Sequence, residues 1–219
     1  EHLQFERARQ ILKDTWAALP KPLLPASHQG ADRGIGSSGA DTEPVGAQAV
    51  LVLRDNLQNR TRIERAYRRA IADARQEILI ANAYFLPGGK LRRALIHAAR
   101  RGVGVCLLLQ GRYENFMQFH ASRPVLGALL AAGVEIHEYS AGFLHAKVAV
   151  VDGHWATIGS SNLDPLSMLL AREANVVVDD ASFAAELRTS LTTAMQTQGV
   201  VLDTQAYATR PWRQRVLDR

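Results

Sequence analysis

The chain has one cysteine, Cys106, so no disulfide can form within it, and the pattern is not that of a small disulfide-stapled secreted domain. That thiol lies in the apolar run Val103-Gly-Val-Cys-Leu-Leu-Leu109 and reads as a small buried hydrophobe. No apolar run approaches the roughly 18 residues a membrane-spanning helix needs, and no secretory signal pattern opens the chain. Lysine is scarce, contributing four of the 26 basic residues. Arginine pairs such as Arg68-Arg69 and Arg92-Arg93 therefore fit solvated helix faces better than phosphate recognition. The histidines lack ligand spacing with Cys, Asp or Glu, so neither metal nor cofactor is expected.

What is present bounds the rest. With 219 residues and 47% hydrophobic residues the chain can bury one good core with extensions at its ends. A net charge of +5 favours an anionic partner, phospholipid headgroups or nucleic acid. Residues 1–19 predict a helix with Phe5, Ala8, Leu12, Trp16 and Leu19 on one apolar stripe that nothing beside it in sequence covers, and it reads as the tail of a missing amino-terminal half. Residues 20–47 read as a flexible linker rich in proline, glycine and serine; the Gly34-Ile-Gly36 there precedes no helix pattern and is a poor phosphate loop. Residues 48–198 read as the folded domain, and 199–219 as a basic, solvated carboxyl-terminal tail with Trp212.

Within the domain, strands and helices alternate. Strands are expected at Val50–Leu53, Glu77–Ala83, Val103–Leu109, Val134–Tyr139 and Ala174–Val178, with helices at 60–75, Lys90–Arg101, Pro124–Ala132 and Ala181–Met195. The first helix carries Ile63, Ala66, Ala70 and Ala74 as its inward stripe. The fold class is α/β, a mixed, largely parallel sheet with helices on both faces. Asn82 and Tyr84 follow a buried strand, where such sheets place ligand crevices, and are candidate substrate-pocket residues. The segment Gly111 to His120 exposes many large groups for a connection and reads as a pocket wall or a packing surface.

The chemistry concentrates in His145-Ala-Lys147-Val-Ala-Val-Val-Asp152 and Gly159-Ser-Ser-Asn162. Asp152-Gly153 between two apolar runs signals a hairpin. A two-residue loop would set Val151 opposite His154, Lys147 opposite Ile158 and His145 opposite Ser160. His145 and Lys147, two apart, share a face, and Asn162 lies just past the returning strand. A phosphodiester repels nucleophiles, so its site needs donors that neutralise its oxygens. Lys147 and Asn162 can supply them, while His145 attacks phosphorus or protonates the leaving oxygen. Either role needs a fixed tautomer, and Glu173, at the start of a neighbouring strand, is a candidate to receive the imidazole N–H. Asp152 is explained by local turn hydrogen bonding.

The gapless pattern H-x-K-x4-D-x6-G-S-x-N resembles the HKD signature of the phospholipase D superfamily. By that resemblance His145, Lys147, Asp152 and Glu173 form the catalytic set, with Lys147, Asn162 and Ser160 binding phosphate. Ile80-Ala-Asn-Ala-Tyr-Phe-Leu-Pro87, the run from His154 to Ser167, and Glu173-Ala-Asn-Val look like the carboxyl-terminal half of bacterial cardiolipin synthases. The resemblance implies a phosphatidyltransferase working through a phosphohistidine at the cytoplasmic face of a bacterial membrane, peripherally bound, with phosphatidylglycerol as its anionic phospholipid. The family site uses two motifs, and only His145 among seven histidines opens an H-x-K. The expected partner is therefore an amino-terminal HKD half or a second copy of the chain. The alternative is a single-motif homodimeric nuclease or phosphodiesterase acting on nucleic acid.

Overall fold

The computed structural model describes residues 48–55, 59–111 and 116–209. The expected helix of residues 1–19, the linker of 20–47, residues 112–115 of the expected 111–120 connection and residues 210–219 lie outside the described residues; from Phe116 that connection is already helix. In chain order the elements are β1 (Gln48–Arg54), α1 (Arg62–Asp73), β2 (Glu77–Asn82), α2 (Gly89–Arg100), β3 (Gly104–Gln110), α3 (Phe116–Leu130), β4 (Glu135–Tyr139), β5 (Lys147–Val151), β6 (Trp155–Gly159), α4 (Pro165–Leu169), β7 (Glu173–Asp179), α5 (Ala181–Gln198), β8 (Gly199–Val201) and α6 (Thr204–Ala208).

The strands form one sheet in the order β1-β7-β6-β5-β2-β3-β4-β8. Only β2–β3 and β3–β4 pair in parallel; the other neighbours are antiparallel. The sheet is mixed as expected, but its parallel part is confined to the β-α-β-α-β run: the β5–β6 hairpin turns straight back, and β7 returns antiparallel beside β6 after a connection that holds only the short α4.

Alternate strand residues feed two cores. On the first face Ile78, Ile80, Val105, Leu107, Ile136, Ala149 and Val151 pack under α1, α2 and α3. On the second, Leu79, Ala81, Leu108, Val150 and Ala156 pack under Ala184, Leu191 and Met195 of α5. The α1 stripe differs from expectation: Ile63, Tyr67, Ile71 and Ala74 are the buried residues. The larger side chains win this face because Tyr67 meets Trp155 edge-on, ring centroids 5.9 Å apart.

Residues 199–209 also depart from the expected solvated tail. β8 pairs with β4, and Tyr207 is 7% exposed, its hydroxyl donating to the Arg123 carbonyl at 2.7 Å. Gly-Val-Val and one aromatic were too short a signal to mark an edge strand and its closing turn.

Candidate active site

The β5–β6 hairpin sets the register of the site. Val151 pairs with Trp155 and Val148 with Ile158, one residue off the expected pairing. Asp152 and Gly153 both adopt left-handed φ, 50° and 68°, and His154 joins the loop while its N–H bonds the Val151 carbonyl at 3.3 Å. Continuing that ladder sets Lys147 against Gly159 instead of Ile158. One residue of slip moves every β6 side chain to the other face. The face that carries His145 and Lys147 is thus shared with Thr157 and Gly159.

Lys147 is 6% exposed. Its ammonium lies 3.3 Å from His145 Nε2 and donates to the His145 carbonyl at 3.2 Å. Burial depresses the Lys147 pKa below the ordinary lysine value, against the opposing pull of the Glu173 and Asp164 charges. An ammonium has no lone pair to offer, so a charged Lys147 can bond Nε2 only where that nitrogen accepts, the tautomer that carries its proton on Nδ1. The imidazole itself is exposed. An accessible ring nitrogen beside a desolvated cation suits attack on an anionic phosphorus centre.

Glu173 corrects the expectation that it holds the imidazole. It opens β7, with β6 between it and β5, and its carboxylate accepts a hydrogen bond from the Ser160 hydroxyl. Its influence on the site is electrostatic, through Lys147. Ser160, expected at the phosphate, spends its hydroxyl on Glu173 and also accepts the Ala174 N–H at 3.1 Å, stitching β6 to β7. Asn162 follows on the same loop, half-buried, with Oδ1 lacking a hydrogen-bond partner.

Asn82 is brought fully into the site. It is the Cα partner of Lys147 across β2–β5 and is completely buried. Its Oδ1 accepts the Leu163 N–H at 3.1 Å, which turns Nδ2 away with no partner of its own. Tyr84, half-buried, comes two residues later in the segment that bridges to Leu163 through Phe85.

Asp152 stands at the far end of β5 from His145, separated by a strand of five residues, or roughly 16 Å. Its bonding is not the local turn pattern expected of it. The carboxylate accepts the backbone N–H groups of Arg75, Gln76 and Glu77 at 2.8, 2.8 and 2.9 Å. Burial pushes its carboxyl up, but those N–H donors and His154 more than offset this, leaving it below the usual carboxylate range. It anchors the hairpin to the start of β2 without touching the reacting end.

Sequence reasoning missed three contributors. Asp164, 5% exposed, accepts the Ser167 N–H at 3.0 Å, opens α4 and acts on Lys147; the Asp-x-x-Ser spacing was its signal. Asn175, 1% exposed, lies across Gly159 and donates to Thr157 Oγ1 at 3.3 Å. Arg54, 2% exposed, is the Cα partner of Glu173 and donates from Nε to the Met168 carbonyl at 3.1 Å. No local pattern marked the roles of Arg54 or Asn175, because only strand pairing brings them to Glu173 and Gly159.

A desolvated lysine against a histidine at the open end of a hairpin, in a mixed sheet covered on both faces, defines a phospholipase D-like domain. Two solved structures share the fold: the phospholipase D family member Nuc from Salmonella typhimurium, with TM-score 0.61 and 20% identity over 72% of this chain and 99% of that one, and phosphatidylserine synthase from Haemophilus influenzae, with TM-score 0.60 and 12% identity over 71% and 40%. At these identities the likeness is one of fold. The chain belongs to the family described as cardiolipin synthase, PLD-like domain, which matches residues 67–195. Cardiolipin synthase B of Salmonella typhi is 44% identical over 160 residues, covering 73% of this chain. The chain spans 37% of that relative's length.

Proposed function

We propose that this chain carries one half of the active site of a cardiolipin-forming phosphatidyltransferase. The observation that carries the reading is the Lys147–His145 pair, with the buried ammonium 3.3 Å from Nε2 of an exposed imidazole. The 44% identity to a cardiolipin synthase supports lipid as the substrate.

On this reading, a phosphatidylglycerol phosphate draws the Lys147 ammonium and the Asn82 and Asn162 amides onto its oxygens, freeing Nε2. Nε2 attacks phosphorus, and the P–O bond to the glycerol headgroup breaks. The departing oxygen takes a proton from a second imidazole. A hydroxyl of another phosphatidylglycerol then attacks the phosphohistidine, gives its proton to that second imidazole, and releases Nε2 with cardiolipin. One imidazole cannot attack on one side of phosphorus and protonate on the other in a single displacement. The second therefore comes from an amino-terminal HKD half or another copy of the chain.

Binding at an anionic membrane surface fits the rest of the molecule. A groove between α1 and α2 is lined by Arg62, Arg65, Arg69, Lys90, Arg93 and Arg101. Phe143 and Leu170, close in sequence to His145 and Glu173, are 62% and 66% exposed. No helix among the described residues is long and apolar enough to cross a membrane.

The test is the 219-residue chain, alone and combined with a segment bearing a second H-x-K motif, on phosphatidylglycerol vesicles, with alkaline quench to trap phosphohistidine. Cardiolipin should form only in the combination, and His145→Ala should lose both product and trapped intermediate at unchanged melting temperature. A His145→Ala combination that keeps most of its activity overturns the site. DNA cleavage by a dimer that ignores lipid overturns the lipid reading in favour of a nuclease.

A further inference from the structure

The second face of the sheet, away from His145, holds a cluster that the active site does not use. Cys106 on β3 is the Cα partner of Glu135 on β4, and His137 lies two residues further on, facing the same way. One ligand atom from each of Cys106, Glu135 and His137 lies within 4.8 Å of the others. His137 Nε2 is 2.5 Å from Glu135 Oε1, and Cys106 Sγ is 3.5 Å from Met195 Sδ on α5. The imidazole is 7% exposed and its Nδ1 has no hydrogen-bond partner. Glu135 is exposed, so the cluster opens to solvent on that side.

We propose that Cys106, Glu135 and His137 bind a Zn2+ ion, with solvent as the fourth ligand and Met195 closing the inner side. Spacing along the chain gave no sign of this set, because Cys106 reaches the pair from the neighbouring strand. Thiolate, imidazole and carboxylate are the donors zinc takes, at roughly 2.0–2.3 Å. In a tetrahedral shell of that radius the donors stand roughly 3.3–3.8 Å apart, so the ion would have to part the His137–Glu135 pair, now 2.5 Å apart, while drawing Cys106 in from no more than 4.8 Å. One thiolate and one carboxylate neutralise the divalent charge.

Without the ion, burial pushes the Cys106 thiol up to about 12, aided by the Glu135 and Glu77 charges and a hydrogen bond to Glu135. Binding forms the Zn–S bond and releases the Sγ proton to solvent. The ion would clamp β3 to β4 beside β8, whose Val201 pairs with His137. No step of the transfer reaction runs through it, so the proposal stands or falls separately from the site at His145.

The test uses the untagged 219-residue chain dialysed against Zn2+, with bound metal measured directly, and Co2+ as a spectroscopic substitute. The chain should hold one Zn2+, melt at higher temperature with it, and show a thiolate-to-cobalt charge-transfer band when loaded with Co2+. Cys106→Ser and His137→Gln should each weaken Zn2+ binding at least tenfold and abolish or shift the band, while His145→Ala keeps both. Glu135→Gln, at an exposed position, should weaken binding similarly and serves should either buried variant fail to fold. Substoichiometric zinc in the parent chain, a Co2+ adduct without a sulfur band, or undiminished binding in the variants overturns the site.

Discussion

The side chain of Asn175 fills the space that a side chain at Gly159 would need: a Cβ there would stand 2.3 Å from Asn175 Oδ1 and 2.5 Å from the Ala174 carbonyl. Gly159→Ala should therefore destabilise the domain by about 1–3 kcal/mol, since neither the buried amide nor the backbone can give way freely. Pairing it with Asn175→Ala should recover only part of that loss, because the carbonyl contact remains. Urea melts of the four members of the cycle check this; a fully additive cycle contradicts the packing argument.

Lys147 is charged at a cost. Its folded pKa is lowered, so it binds a proton less readily folded than unfolded, and its contribution to stability rises with pH from the folded pKa up to the ordinary lysine range. Lys147→Met should melt no lower than the parent at neutral pH while reducing turnover of the completed enzyme by about 100-fold or more. A large drop in melting temperature would show that the ammonium is structural.

Because the Glu173 charge works against the desolvation of Lys147, removing it should lower the lysine pKa further. Glu173→Gln should move the alkaline limb of the pH–rate profile to lower pH. Ser160→Ala, which removes a hydroxyl and no charge, should move it much less. Equal shifts in the two variants would mean that geometry, and not charge, connects Glu173 to the site.

Asp152→Asn should lose about 1–3 kcal/mol at neutral pH by weakening three backbone N–H bonds. The folded carboxyl titrates below its usual range, so the parent's advantage is present above roughly pH 4 and lost as pH falls through the folded value. Turnover per folded molecule should change little. Melts from pH 7 to pH 2 should show the two curves converging; a constant gap would point to lost packing.

Charge reversal in the α1–α2 groove, as Arg62→Glu with Arg65→Glu, should weaken sedimentation with phosphatidylglycerol vesicles at least tenfold and leave the weak response to added salt that a neutral surface shows. Unchanged binding would move the membrane contact elsewhere, with the exposed Phe143 and Leu170 next in line.

Much of the site was legible in local order. His145 and Lys147 share a face because residues two apart on a strand must, and Asp152-Gly153 marks a turn because both positions take left-handed φ. The loop length was not legible, since His154 is equally competent as loop or strand residue, and that one residue decided whether Lys147 faces Ile158 or Gly159. Glu173 was placed in the right neighbourhood from the strand it opens. Its partner, Ser160, followed from the β6–β7 pairing, which no spacing within either strand encodes.

By itself, the sequence determined the elements that local periodicity and turn chemistry dictate: the alternating strands and helices, the hairpin, and the histidine and lysine on one face. Tertiary structure alone decided which strands became neighbours, hence that the sheet is mostly antiparallel around the site, that Asn82 meets Lys147 while Arg54 meets Glu173, and that Cys106 joins Glu135 and His137. The reason is physical: a side-chain period fixes the face a residue presents, whereas the neighbour it meets there depends on strand order and register, which are set by how two whole cores bury their apolar faces together.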